Sequence, residues 1–423
     1  MALGTLYFVA SGWIPVADAR GQALELACLL ETHSFRELNI PRAVTEGAAM
    51  TIERPFKRHY DFEHFRRVVM RETGEGPVPI IELFADPEII CEVSGLDFPA
   101  DGLLKVLNIG VEPTVEQLQL GVQLMDISVA FSVAAGYDYA STIPIVPVPL
   151  TEYLLRENPQ QDGKVRGWQD EHRGLIMNRD DFERFAWPGL DSVSLIPVDY
   201  TAGQVPEGMK VMAFINGIFE DLKRLMGVEN MAIKSIEDPA LCGDILEKLT
   251  ELAVDATGRS AAHPAVGAVF YGEDMGFNTS LMLSPEWMRE WVVPRLKRIA
   301  DACHAHGKPF LLHSCGQIDA LMEDLIEVVG IDARHSFQDN IEPVEEVYRK
   351  YSDRISILGG VDVDLLARGT PAQVAERTRS ILEACAPGGG YCMGSGNSVT
   401  NFVKIDNYYA MLDETRRWNE KHS

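Results

Sequence analysis

The stretch KPFLLHSCGQIDALMEDLI, residues 308–326, joins a short apolar run to a polar turn and then to a helical pattern. Residues 309–312 have the composition of a buried strand, so His313 and Cys315 fall where that strand ends. Side chains at positions i and i+2 of an extended segment point to the same side, and imidazole and thiolate are both good metal ligands. The stretch therefore predicts a buried strand whose carboxyl end carries a metal-binding pair.

The C-terminal half of the chain repeats this arrangement. Short apolar segments alternate with amphipathic helical patterns at spacings of about twenty to forty residues. The strand-like segments are 265–274, 309–316, 331–337, 355–362 and 389–397. Such alternation is typical of βα units built around a parallel sheet.

The N-terminal half is less regular. Strands are predicted at 78–83, 137–143 and 211–216, and the segment 162–176 is predicted to be a hairpin or an excursion from the fold. These segments supply enough strands for an α/β fold of the (β/α)8 TIM-barrel type with an N-terminal extension and insertions. A doubly wound open sheet is the competing architecture, but no glycine-rich dinucleotide fingerprint follows the first strand.

Residues 1–49 and 50–423 are predicted to differ in character. No Lys or Arg precedes the mildly apolar segment near the N-terminus, so a signal peptide is not favoured. We expect residues 1–49 to be a poorly ordered extension, translated from an upstream start, and residues 50–423 to form a single barrel domain.

Charge and cysteine content exclude several classes of partner. The net charge of −25 argues against a nucleic acid or an anionic membrane as the main partner, and no apolar run suggests a membrane span. The seven cysteines are too few and too scattered for a secreted disulfide framework. We expect a cytoplasmic protein with reduced thiols.

The polar residues at the ends of the predicted strands would meet at one mouth of a barrel. In addition to His313 and Cys315, these residues are Glu273, Asp274, His335, Asp362 and Cys392. Three N/S ligands with an open fourth position are what a catalytic zinc site requires, and His313, Cys315 and Cys392 would supply them.

Each of these residues also has a simpler interpretation. Cys392 could be a small core residue, because cysteine is among the most buried residue types. Glu273 and Asp274 could act as a general acid or base, complete the metal sphere, or be solvated residues at a strand end. His335 could contact the substrate or make an ordinary hydrogen bond.

A glycine-rich segment at residues 388–399, GGGYCMGSGNSV, raises the question of a phosphate-binding loop. It lacks the lysine of a P-loop and does not have Rossmann spacing. Its glycines would instead let the backbone approach the mouth of the barrel closely. We predict substrate contacts from Asn397 in this segment and from Asp362.

Three motifs in order carry a family resemblance: HSCGQIDALMEDLIEVVGIDARHSF, ILGGVDVDLLARGTP and GGYCMGSGNSVTNFVKIDNYYAMLDE. Together they resemble the uroporphyrinogen decarboxylase superfamily over roughly residues 75–418. The resemblance implies a (β/α)8 barrel. One branch of the superfamily decarboxylates uroporphyrinogen without a cofactor. The other contains zinc-dependent methyltransferases with an H-x-C…C zinc motif, to which His313, Cys315 and Cys392 correspond.

The segment 74–90 favours the methyltransferase branch. It aligns with the Arg-containing signature that grips carboxylates in the decarboxylases, but it contains no Arg or Lys. An acidic mouth would also repel a polycarboxylate substrate. The decarboxylase of porphyrin and haem biosynthesis, and a non-catalytic barrel that binds a small ligand, remain the alternatives.

The resemblance therefore implies an enzyme that moves a methyl group between a corrinoid on a partner protein and a small-molecule acceptor such as a thiol. Zn²⁺ would be the cofactor. Asp274, Glu273 and His335 would take part in catalysis. Monomers and homodimers both remain open.

Overall fold

The computed structural model describes residues 59–99, 102, 115–149, 154–157, 165–168 and 173–422. The predicted extension, residues 1–49, lies outside this part of the chain, so the expectation about it stays a prediction. The same holds for the first residues of the predicted barrel domain, 50–58.

The described strands form one parallel sheet and one hairpin. In chain order they are β1 Tyr139–Thr142, β2 Leu154–Glu157, β3 Val165–Trp168, β4 Lys210–Asn216, β5 Val266–Gly272, β6 Phe310–His313, β7 Ala333–His335, β8 Ser356–Leu358 and β9 Tyr391–Cys392. The sheet has seven strands in the order β1-β4-β5-β6-β7-β8-β9, all parallel, and β2 pairs with β3 in an antiparallel hairpin.

Helices cover the connections between these strands. They are Phe62–Val69, Pro87–Ser94, Val115–Ala135, Arg179–Arg184, Ile196–Ala202, Ile218–Met226, Val228–Glu237, Pro239–Ala262, Pro285–Trp291, Val293–His304, Met322–Asp324, Val344–Tyr351, Val363–Arg368, Pro371–Cys385 and Ile405–His422. Short 3₁₀ turns lie at Leu190–Ser192, Asp319–Leu321 and Ala386–Gly388, and a π-helical turn at Leu325–Val329.

The strands β5 to β9 are buried along their whole length because the sheet is covered on both faces. All seven residues of β5 are buried, as are all four of β6 and all three of β7. A parallel sheet covered by its own crossover helices has no solvent face, so its strands do not alternate between apolar and polar residues. The core of the molecule therefore lies on and within this sheet.

The two edges of the sheet, β9 and β1, are joined through residues 80–82. Ile80 forms a parallel bridge with Met393, directly after β9. Two residues later, the backbone of Glu82 accepts a hydrogen bond from Tyr139 Oη at 2.9 Å and donates one to it at 2.8 Å. The sheet is thus curled so that its edges approach each other. The segment predicted as a strand at 78–83 contributes this single bridge.

Most of the strands and helices predicted from sequence are confirmed, and besides the segment 78–83 one helix differs. The helical pattern predicted from Pro285 to His306 is divided into Pro285–Trp291 and Val293–His304. Pro294 explains the division, since it has no N–H to donate to the preceding turn and is tolerated only near the start of a helix. The predicted hairpin near 162–176 is represented by β3, which pairs with β2.

One helix differs from the expectation that no apolar run could span a membrane. Glu116–Ala135 is long and apolar enough to do so by length and composition, and 61% of that segment is buried within the fold. A helix that is apolar on most sides is also what a protein core requires, and its contacts with β1 place it there. This helix is weak support for a membrane span.

Candidate functional site

Three potential metal ligands lie together at the carboxyl ends of β5 and β6. Ligand atoms of Asp274, His313 and Cys315 all lie within 4.8 Å of one another. The His313 Nε2 atom is 3.3 Å from Cys315 Sγ and 3.6 Å from Asp274 Oδ1. The same Asp274 oxygen accepts the Cys315 backbone N–H at 2.8 Å, which joins the turns that follow the two strands.

The tautomer of His313 follows from a chain of hydrogen bonds behind it. His335 Nε2 lies 3.3 Å from the Ser395 carbonyl oxygen, which can only accept, so this ring nitrogen carries the proton. Burial lowers the pKa of His313 to about 3 and the pKa of His335 well below its ordinary value, so both rings are neutral. The His335 Nδ1 atom is then an acceptor, and His313 Nδ1–H donates to it at 2.7 Å. The lone pair of His313 is left on Nε2, facing Cys315 and Asp274.

This arrangement fits a zinc ion. Bonds of about 2.0–2.3 Å to tetrahedral zinc place neighbouring ligand atoms about 3.3–3.8 Å apart. The distances from His313 Nε2 to Cys315 Sγ and Asp274 Oδ1, 3.3 Å and 3.6 Å, fall in that range. An imidazole nitrogen, a thiolate and a carboxylate are all zinc ligands, and three protein ligands leave a fourth position for a substrate.

The structure does not bring Cys392 into this group, contrary to the ligand set predicted from sequence. Cys392 is fully buried in β9, and the charged group that acts on its thiol is Asp138, which precedes β1. Burial raises the pKa of this thiol well above its ordinary value, as expected for a core cysteine. Asp274, for which completing the metal sphere was one of the predicted roles, is the third member of the cluster.

Asn397 is the residue that reaches the cluster from the segment after β9. Its Nδ2 donates to Cys315 Sγ at 3.1 Å and lies 3.5 Å from Ser336 Oγ. The Ser336 hydroxyl lies 3.6 Å from the same sulfur. Ser336 has a φ of +108°, a conformation that side-chain-bearing residues rarely adopt and that costs of order 1–3 kcal/mol. Strain of this size next to Cys315 is typical of a functional site.

Glu273 faces a helix rather than the cluster. Its Oε1 accepts the backbone N–H groups of Phe219 at 2.9 Å and Glu220 at 3.0 Å, at the start of helix Ile218–Met226. The side chain is fully buried, and this burial raises the pKa of the carboxyl to about 8. The predicted catalytic role of Glu273 stays a prediction, as does that of Asp274.

Asp362 likewise has structural partners. One carboxylate oxygen accepts the Asp364 N–H at 2.7 Å and caps helix Val363–Arg368, and the other accepts the Asp339 N–H at 2.8 Å. The bond from Asp339 joins the loops after β7 and β8. Its predicted contact with substrate stays a prediction.

The sequence reasoning missed three residues that take part in the site or its support, namely Ser336, Ser395 and Glu82. Glu82 is buried, its Oε1 accepts the Ser395 N–H at 2.9 Å, and its other oxygen contacts the Ser395 hydroxyl. A charged residue after the apolar run at 78–81 was a usable signal for Glu82. The two serines carried none, because serine is common in turns.

The model of the uroporphyrinogen decarboxylase (URO-D) family matches residues 171–418, more than half of the chain. The chain belongs to the URO-D family. The matched region contains β4 to β9 and every residue of the metal-binding cluster.

Two curated URO-D relatives differ in their named activities. The chain is 29% identical over 239 residues to a methylated-thiol–coenzyme M methyltransferase from Methanosarcina mazei, covering 54% of this chain and 61% of that protein. It is 26% identical over 187 residues to a uroporphyrinogen decarboxylase from Anaeromyxobacter dehalogenans, covering 44% of this chain and 50% of that protein. The chain therefore spans half to three-fifths of the length of these relatives.

A solved structure supports the fold. A methyltransferase from Methanosarcina mazei superposes with a TM-score of 0.62 at 14% identity, covering 85% of this chain and 99% of the other. At this identity the likeness concerns the architecture alone. It agrees with the curled parallel sheet described above.

Proposed function

We propose that this URO-D family member is a zinc-dependent methyltransferase, which moves a methyl group between a corrinoid held by a partner protein and a small-molecule acceptor such as a thiol. The observation that carries the proposal is the cluster of Asp274, His313 and Cys315 at the carboxyl ends of β5 and β6. In a barrel-type fold this rim is where active sites are built. The methyltransferase relative at 29% identity supports the same reaction class.

The chain's own residues would prepare the site in three ways. His335 and the Ser395 carbonyl keep the lone pair of His313 on Nε2, the nitrogen that would bind the ion. Asn397 lies against Cys315 Sγ and would stabilise negative charge on that sulfur. A zinc ion bound there would lower the pKa of a coordinated thiol, so that the thiol reacts as a thiolate at neutral pH.

Two finer statements belong to the same proposal. We take the curled sheet to be a (β/α)8 barrel in which the segment around Ile80 holds the eighth position, supported by its bridge to Met393. We also propose a cytoplasmic enzyme, supported by the six described cysteines, all of which are free thiols.

Metal content tests the proposal directly. The purified full-length chain should contain about one zinc ion per molecule by elemental analysis. Cys315→Ser and Asp274→Asn should each lose it, because each removes one of three ligands. Cys392→Ser is the matched control at a buried thiol outside the cluster, and it should keep the metal.

Activity separates methyl transfer from the alternatives. Methyl transfer from methylcobalamin to a thiol should stop after chelation and return when zinc is restored. A chain that decarboxylates uroporphyrinogen equally well with and without chelator would instead be a decarboxylase. A chain without bound metal and without either activity would support the ligand-binding barrel.

A further inference from the structure

A separate cavity lies at the carboxyl end of β1, whereas the metal-binding cluster lies at the carboxyl ends of β5 and β6. It has a volume of about 130 Å³ and lies between helix Val115–Ala135, the carboxyl end of β1 and the segment 82–85. None of the three cluster residues lines it. An apolar cavity of roughly 150 Å³ holds a benzene molecule, so this space suits a ligand of about one aromatic ring.

One face of helix Val115–Ala135 forms a wall of the cavity. The helix residues that line it are Gly121, Leu124, Met125, Ser128, Phe131 and Ser132. Their spacing of three and four residues places them on a single stripe. The apolar stripe of this helix therefore faces a space that a ligand could fill.

Three of the hydroxyl groups on the lining donate within the protein. Ser128 Oγ donates to the Leu124 carbonyl at 2.7 Å, and Ser132 Oγ donates to the Ser128 carbonyl at 3.0 Å. On the opposite wall, Tyr139 Oη donates to the Glu82 carbonyl at 2.9 Å. A hydroxyl has one proton, so these groups have no donor left for a ligand. The lining offers mainly apolar surface.

Burial favours the neutral form of Glu82, the ionisable carboxyl group on the lining. The Ser395 hydroxyl contacts both the Asn397 carbonyl, which can only accept, and Glu82 Oε2. Burial raises the pKa of Glu82 to about 8, although hydrogen bonds from the Ser395 hydroxyl and N–H act to lower it. No Lys or Arg occurs among the lining residues that the structure describes.

We propose that this cavity binds a neutral, predominantly apolar molecule of about the size of one aromatic ring. A carboxylate, sulfonate or phosphate would be buried there without a counter-charge, at a high cost.

The cavity is connected to the metal-binding cluster. Glu82 holds Ser395, the Ser395 carbonyl accepts from His335, and His335 accepts from His313.

Binding of defined probes to the full chain tests the proposal. By isothermal titration calorimetry, methoxybenzene and (methylthio)benzene should bind saturably, and 4-methoxybenzoate at least tenfold more weakly because of its charge. Ser128→Leu fills the cavity from the helix and should weaken methoxybenzene binding at least tenfold. Gln119→Leu adds a similar group on an exposed position of the same helix and should leave binding unchanged.

Three outcomes would overturn the proposal: no binding of the neutral probes, equal binding of the carboxylate, or equal binding to the Ser128→Leu variant. The same titration on zinc-stripped protein separates this proposal from the proposed function. Methoxybenzene should bind as tightly without metal as with it. If it does while methyl transfer is absent, the reaction assignment fails and the cavity assignment stands.

Discussion

At the scale of single residues, two things shape the metal-binding cluster: where a residue lies along its strand, and which residue it contacts across the sheet. His313 and Cys315 were predicted as ligands from their spacing, and the structure brings both to the cluster. Which nitrogen of His313 faces the metal position depends on two other residues. His335 lies 22 residues after His313, and Ser395 lies 60 residues after His335. A tautomer set by such distant partners could not be predicted from local pattern.

His335 provides a residue-scale prediction. His335→Leu removes the acceptor for His313 Nδ1–H and should weaken zinc binding about 10–100-fold, the usual effect of losing a partner behind a metal ligand. His335→Asn places an amide oxygen close to the position of Nδ1 and should keep most of the affinity. Competition with a chromogenic zinc chelator measures both. Equal losses in the two variants would show that His335 acts through packing and not through this hydrogen bond.

At the scale of elements, the prediction of the strands succeeded where the strand is buried on both faces. β5 and β6 are short apolar runs bounded by polar turns, which is a local signal. The segment 78–83 has the same composition but contributes only the bridge at Ile80. The composition of a segment indicates whether it is buried. A strand also needs a neighbouring strand in register, and the sequence of one segment does not show whether it has one.

The turns after β5 and β6 give an element-scale prediction. Gly316 has a φ of +81°, and a Cβ there would lie 2.4 Å from the backbone of Gly276. Gly316→Ala should therefore destabilise the chain by about 1–3 kcal/mol and reduce zinc binding, because Cys315 would have to move.

Gly307→Ala is the control for this prediction. Gly307 also has a positive φ, +65°, but nothing lies within 4 Å of the added Cβ. It should show a backbone cost of only about 1 kcal/mol and unchanged zinc content. Urea denaturation and elemental analysis measure the two effects. Equal losses at both positions would mean that the contact with Gly276 does not matter.

At the scale of the whole molecule, the curled sheet depends on a buried acid. Glu82 joins β1 through its backbone and the segment after β9 through its side chain. Its carboxyl pKa is raised to about 8 by burial, from an ordinary value of 4.5. The folded state therefore holds a proton that the unfolded state releases between those values.

The sign of the pH effect follows from linkage. Stability that comes from this proton is fully present below about pH 4.5 and is lost as the pH rises towards 8, at no more than about 1.4 kcal/mol per pH unit. Glu82→Gln keeps a donor and an acceptor without the titration. Urea denaturation should show that the free energy of unfolding of the variant minus that of the native chain increases from pH 5 to pH 8. Parallel profiles would contradict a protonated Glu82.

The parallel βα architecture and the placement of His313 and Cys315 after a strand were determined by the sequence itself, because periodicity and burial are properties of neighbouring residues. Tertiary structure decided which residue completes the cluster. Asp274 reaches it across the β5–β6 pair, and Cys392, although at a strand end, lies in the core near Asp138. Such contacts depend on strand register and curl, which arise only when segments far apart in the chain pack together.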